Sequence, residues 1–114
     1  MPYIKTTTSA KITDECRVAL KEKFAQLIEI FPGKSEQWLM LSFCDGVAMS
    51  FRGDMDTPCA MVEIDVFGAA SPATYDKVTA AVCETVSSLV GVPSDRIYVK
   101  YRECDRWGYD GFNF

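Results

Sequence analysis

Pro2, directly behind Met1, is the residue of this sequence whose chemistry depends most on its position. Initiator methionine is normally removed where the next residue is small, and proline is such a residue. Removal of Met1 would leave Pro2 as a free secondary amine, a nucleophilic base on a rigid ring. α-Amino groups titrate at roughly 7.7–8.0, nearer neutrality than lysine. An apolar pocket or a neighbouring cation lowers that value further by disfavouring the charged form. Pro2 could then serve as a general base at pH 7 in a chain that has no histidine. Taken alone, a proline in second place is a common terminus, so the residues that surround it must decide.

The 114 residues suffice for one domain with a modest core, and the 48% hydrophobic and 25% charged shares are those of a soluble globular protein. No run reaches the ~18 apolar residues of a membrane span. The start also lacks the basic, apolar, small-residue order of a secretory signal. Net charge is −4 and no segment is strongly basic, so neither nucleic acid nor an anionic membrane is an expected partner. Cys16, Cys44, Cys59, Cys83 and Cys104 are odd in number, widely spread and without metal-ligand spacing. They read as reduced, mostly buried thiols of a cytoplasmic protein.

The elements that must position Pro2 follow from hydrophobic periodicity. The pattern predicts strand 2–8, helix 13–31, strand 37–44, short strand 47–51, strand 59–67, helix 72–90, strand 96–102 and an aromatic tail. Thr13 caps the first helix, with Asp14 and Glu15 in its first turn. Cys16, Leu20, Phe24, Leu27, Ile28 and Phe31 form its apolar stripe, and Pro32-Gly33 stops it. Ser71 caps the second helix, Pro72 takes its first position, and Gly91 followed by Pro93 ends it. Tyr75, Val78, Val82, Val86 and Leu89 make its stripe.

The two halves echo each other, about 1–58 and 59–114. Ser35-Glu36-Gln37-Trp38-Leu39 follows the first helix as Ser94-Asp95-Arg96-Ile97-Tyr98 follows the second, and Pro2 overlies Met61. The expectation is an α+β, two-layer sandwich of tandem β-α-β units: a four-stranded mixed sheet with both helices on one face. The other face stays open. Strand 59–67 sets Met61, Glu63, Asp65 and Phe67 there, and strand 96–102 sets Tyr98, Lys100 and Arg102. A lone subunit would leave that surface bare, so self-association is expected. The tail carries Trp107, Tyr109, Phe112 and Phe114 and reads as a segment folded over an edge or a neighbouring subunit.

Met1-Pro2, Gly33-Lys34, Pro58-Cys59-Ala60-Met61, Asp95-Arg96-Ile97-Tyr98-Val99 and Trp107-Gly108-Tyr109, in this order, resemble the macrophage migration inhibitory factor family of the tautomerase superfamily. The resemblance spans essentially the whole chain. It implies a homotrimer with active sites at subunit interfaces, phenylpyruvate keto–enol tautomerase activity, often dopachrome tautomerase activity, and no metal or organic cofactor. In animals it also implies a cytokine role, and with it a protein receptor for a chain that is exported without a signal peptide. Pro2 matches the catalytic proline and Lys34 the lysine that pairs with the substrate carboxylate. Phe67 falls where a backbone N–H holds that carboxylate, and Tyr98 where a tyrosine reaches in from the neighbouring subunit. Trp107, Tyr109 and Phe114 fall on the hydrophobic wall, with Trp38 and Tyr3 near the mouth.

Three departures stand out. Lys100 occupies the place of a substrate-binding asparagine, so a neighbouring subunit would supply a second cation and favour dianionic or more polar acids. Cys59-Ala60-Met61-Val62 lacks the second thiol of the family's Cys-x-x-Cys, which removes the basis for a thiol oxidoreductase. Around Lys11-Ile12 and Asp45-Gly46 the charged pair associated with receptor mimicry is displaced. Each residue also has a plainer role. Lys34 can satisfy helix-end carbonyls, Tyr98 can be strand packing, and Lys100 and Arg102 can pair with Glu63 and Asp65 across the sheet. Arg52-Gly53-Asp54 matches an integrin-binding tripeptide, but a turn between strands explains it better. A signalling or binding protein that keeps the trimer with a vestigial site is the alternative to a tautomerase.

Overall fold

An extended chain turns alternate side chains to opposite faces, and β1 (Pro2–Thr8) follows that rule from its first residue. Pro2, Ile4, Thr6 and Thr8 are buried, whereas Tyr3, Lys5 and Thr7 look the other way. The same alternation holds in β3 (Ala60–Phe67), where Ala60, Val62, Ile64 and Val66 go inward. β2 (Met40–Cys44) and β4 (Ile97–Cys104) complete a four-stranded sheet in the order β2-β1-β3-β4 in the computed structural model, which describes residues 1–114. β1 runs parallel to β2 and β3 parallel to β4, while the central pair, β1 and β3, is antiparallel. That arrangement is the expected pseudo-two-fold of two β-α-β units.

The helices that cross between parallel strands share one layer. α1 (Asp14–Leu27) starts at Thr13, whose Oγ1 accepts the Cys16 N–H at 3.1 Å, and α2 (Pro72–Val90) starts at Ser71, whose Oγ accepts the Thr74 N–H at 3.2 Å. Both caps satisfy an N–H that a first helical turn leaves without a partner. α2 ends where Gly91 takes φ 82°, a left-handed conformation that favours glycine. Leu20, Phe24, Leu27 and Ile28 from the first crossover meet Val78, Val82 and Val86 from the second over Ile4, Val62, Ile64 and Val66 of the sheet.

Three expected elements differ from what forms. The first helix is α-helical only to Leu27, then tightens to a 3-10 turn at Ile28–Ile30 before Pro32. The strand expected at 37–44 begins at Met40, because β2 pairs only with β1 and the register starts at Tyr3 opposite Met40. With no strand beside them, Glu36–Trp38 close a 3-10 turn, in which Trp38 N–H donates to Ser35 O and Leu39 N–H to Glu36 O. No strand forms over 47–51; the Val47 N–H goes to Thr8 O, and only a single bridge joins Phe51 to Asp54. Arg52 and Gly53 sit between them at φ 53° and 75°, so Arg52-Gly53-Asp54 is a tight turn. The Asp54 carboxylate is held internally by the Asp56 and Thr57 N–H groups. Hydrogen bonding from Thr57 and Asp56 lowers its pKa to about 2.

Two threonines enter the core, and they fare differently. Thr8 Oγ1 donates to Cys59 O at 2.8 Å and accepts the Ala10 N–H at 3.2 Å. Thr6 Oγ1 is equally buried and has no partner. An unmet hydroxyl opposes folding, so Thr6→Val is expected to raise stability by about 1 kcal/mol. A urea midpoint that rises at constant slope would show it; a lower midpoint would mean that the hydroxyl is satisfied in solution.

The face away from the helices carries the ion pairs that cross-strand register predicts. Lys100 lies 3.2 Å from Glu63 and Arg102 2.7 Å from Asp65, each directly opposite its partner on β3. No helix is long and apolar enough to cross a membrane.

Candidate active site

β1 places Pro2 at the sheet's midline, opposite Val66 of β3. One residue further along β3, the backbone of Phe67 is held from both sides. Its N–H donates to the Met1 carbonyl at 3.0 Å, and its carbonyl accepts from Lys34 Nζ at 3.2 Å. Lys34 reaches this point because Gly33, at φ 76°, turns the chain sharply after the first crossover helix. The Lys34 N–H is tied to Phe31 O at 3.2 Å. Its ammonium thus stands beside the N-terminus. Burial, and then the Lys34 charge, hold the Met1 amino group below its ordinary range.

A cleft of about 320 Å³ opens over this end of the sheet, lined by Pro2, Tyr3, Trp38, Met40, Trp107 and Tyr109. The 3-10 turn at Glu36–Trp38 delivers Trp38, whose ring meets Tyr109 edge-on at 5.2 Å and 87°. The aromatic tail folds as a hairpin of β5 (Gly108–Tyr109) and β6 (Phe112–Asn113), turning at Asp110 and Gly111 with φ 50° and 87°. Phe114 N–H donates to Trp107 O at 3.0 Å and folds the chain end back. The Phe114 ring then stacks on Tyr109 at 6.3 Å and contacts Phe67 at 6.1 Å. Trp38, Tyr109, Phe114 and Phe67 therefore form a continuous aromatic run that ends at the backbone gripped by Lys34. Tyr3 fixes its hydroxyl on Ser42 Oγ at 2.7 Å. A second hollow, about 420 Å³, lies under α1 but is lined by Glu22, Glu29 and Glu36 and by no cation, so an anion would be repelled from it.

Eight of the ten residues singled out in the sequence, Pro2, Tyr3, Lys34, Trp38, Phe67, Trp107, Tyr109 and Phe114, meet at this end of the sheet. Tyr98 and Lys100 do not. They stand on the outer strand β4, opposite Met61 and Glu63. At ~3.3 Å per residue, Tyr98 lies roughly 20 Å along the sheet from Phe67. Within its own subunit Lys100 is paired with Glu63 at 3.2 Å. Gln37 and Met40 join the cleft with no signal beyond their nearness to Trp38. Lys11 and Asp45, far apart in sequence, come together: the Asp45 carboxylate accepts the Ile12 N–H at 2.9 Å, which with the nearby Lys11 charge lowers its pKa.

The chain matches the family model for macrophage migration inhibitory factor (MIF) over residues 1–113. Among solved structures it is similar to MIF2 of Leishmania major, with 29% identity and a TM-score of 0.93 over 100% of this chain and 97% of that one. It is also similar to the macrophage migration inhibitory factor homologue of Prochlorococcus marinus, with 30% identity and a TM-score of 0.88 over 98% of each chain. The protein from Toxoplasma gondii, at 23% identity and a TM-score of 0.90 over 98% of this chain and 99% of that one, shares the fold. No curated protein sequence matches. The match to the family model runs from the first residue through the aromatic tail, and the chain belongs to the macrophage migration inhibitory factor family.

Proposed function

We propose that this protein is a keto–enol tautomerase of aromatic 2-keto acids such as phenylpyruvate, with dopachrome as a second substrate, and that it works as a homotrimer. One observation carries the reading: Pro2, the Lys34 ammonium and the Phe67 amide converge beneath an aromatic wall. Once Met1 is removed, Pro2 is a secondary amine in surroundings that lower the pKa of a terminal amine. The Phe67 N–H, now occupied by the Met1 carbonyl, becomes free for an anion.

The substrate carboxylate then sits on Lys34 and the Phe67 N–H, and its ring stacks against Trp107, Tyr109 and Phe114. Neutral Pro2 takes a proton from the carbon next to the keto group, giving an enolate and a protonated amine. The same proton, returned to the enolate oxygen, gives the enol and restores the base. A positioned acid–base group of this kind contributes typically 10²–10⁴-fold, most when its pKa lies near the working pH. The aromatic wall excludes water and so strengthens the charge stabilisation of the enolate. Tyr98 reaches this cleft from the neighbouring subunit of the trimer, bringing Lys100 with it. Because Glu63 already neutralises Lys100, the site's net cation is Lys34, which suits a monoanionic acid. The open face with exposed Met40 and Tyr98 is what trimer formation would cover.

The direct assay is phenylpyruvate enolisation by protein whose N-terminus has been verified by intact mass. Activity lost on Pro2→Gly supports the mechanism; an active Pro2→Gly protein overturns it. Lys34→Ala is expected to raise KM about 10–100-fold, the range of a charge-assisted hydrogen bond. The Lys34 cation disfavours the protonated amine, so its loss raises the amine pKa. The acid limb of kcat/KM against pH should therefore move to higher pH in Lys34→Ala, and a limb that stays in place would remove Lys34 from the site.

A further inference from the structure

Arg96 is the most heavily engaged cation of the chain, and nothing in the proposed chemistry uses it. The residue is buried, 7% exposed, in the 3-10 turn just before the outer strand β4. A guanidinium has five N–H donors in a fixed fork, and the loop from Phe51 to Pro58 supplies carbonyl acceptors for four hydrogen bonds to it. Nε donates to Pro58 O at 3.0 Å, Nη1 to Phe51 O at 3.2 Å, and Nη2 to Asp54 O at 3.2 Å and Thr57 O at 2.9 Å. Nη1 also lies 3.8 Å from the Asp54 carboxylate.

Loop closure alone does not call for this arrangement. Paired backbone hydrogen bonds between Phe51 and Asp54, at 3.1 and 3.0 Å, already close the turn. What the guanidinium adds is a fixed place for Phe51, whose ring centroid lies 5.2 Å from the Arg96 guanidinium carbon. Arg52 stands at the same distance from that ring, 5.2 Å, so the ring is held between cations and loop. The ring in turn meets Tyr98 edge-on, at 5.0 Å and 79°. Tyr98 is 58% exposed on an edge strand, and Phe51 is the aromatic ring it packs against.

We propose that Arg96 is the positioning residue for Tyr98, acting through the Phe51 ring, and so fixes how Tyr98 presents itself to the cleft of a neighbouring subunit. The second half of this statement rests on the reading of Tyr98 as a substrate-facing residue of the trimer. The first half does not. A lysine at position 96 offers three donors from a point and cannot meet four carbonyls spread over the loop, so the arginine's shape carries the effect.

The test combines a spectroscopic arm with a kinetic one. In ring-labelled tyrosine spectra of the full chain, the Tyr98 resonances are expected to move in both Phe51→Leu and Arg96→Lys, and to return towards the wild-type position in Phe51→Tyr. In phenylpyruvate turnover, Phe51→Leu is expected to raise KM about 2–10-fold, the range for loss of one aromatic pair, with kcat within about twofold. In a Tyr98→Ala background the same substitution is expected to add nothing, because the pair is already gone. Unmoved Tyr98 resonances overturn the proposal, as does a Phe51→Leu effect of equal size with and without Tyr98. Moved resonances with no phenylpyruvate turnover by the wild type leave the positioning intact and overturn the substrate reading instead.

Discussion

Phenylpyruvate turnover is expected to rise by 10²–10⁴-fold when Met1 is removed from protein that retains it, the range contributed by a positioned general base. Retained Met1 interferes twice. It makes the Pro2 nitrogen an amide without basicity, and its carbonyl occupies the Phe67 N–H at 3.0 Å. The first effect removes the base and lowers kcat. The second covers the donor that would receive the substrate carboxylate and raises KM. Treating Met1-retaining protein with a methionine aminopeptidase removes Met1 alone and substitutes no other residue, so the comparison is made on a protein that has already folded. Intact mass reports the processing and the enolisation assay reports the gain. Equal turnover before and after complete processing would remove Pro2 from the chemistry.

The parts of this fold that depend on short stretches of sequence are legible in it. Period-two alternation gives β1 and β3, and Thr13, Ser71, Pro72 and Gly91 mark helix ends that the structure keeps. What is not legible depends on partners far away. Leu39 and Trp38 are as strand-like as Met40, but the pairing of β2 with β1 begins only at Tyr3 opposite Met40, so Trp38 closes a 3-10 turn and Leu39 follows it. The stretch 47–51 has strand-like residues and no neighbour to pair with. Arg96 reads as an ordinary arginine before a strand; its burial depends on carbonyls some forty positions earlier in the chain.

The candidate site divides along the same line. Pro2 and Lys34 stand out by type, but their meeting at Phe67 is a consequence of topology, since the β1–β3 pairing brings the N-terminus to the end of β3. Ordered motifs made that meeting an expectation through resemblance; composition and spacing could not. For Lys100 the plain cross-strand reading and the functional one were both open, and the Glu63 pair realises the plain one within the subunit. A binding role for the same residue then concerns only its placement across an interface.

Phe24→Ala is expected to cost about 3–5 kcal/mol, a large part of the roughly 5–15 kcal/mol that holds a domain folded. Phe24 is fully buried, and its ring stacks on Phe43 of β2 at 6.4 Å and 8°. It therefore joins α1 to the outer strand, where truncation would leave a cavity that a sheet edge and a helix cannot both close. Tm should fall by roughly 10–20 °C at fixed protein concentration, a condition that matters if subunits associate. Val18 lies one to two turns earlier on the same helix but is 54% exposed, and Val18→Ala should stay within about ±0.5 kcal/mol. The contrast also bears on function. β2 begins at Met40, which lines the cleft beside Trp38, so the Phe24–Phe43 stack holds the strand that carries one wall of the site. Well below its Tm the variant should keep kcat near wild type while KM rises, since the base on β1 is untouched and the wall is loosened. A Tm shift no larger than that of Val18→Ala would mean that the two aromatic rings do not bind helix and strand together.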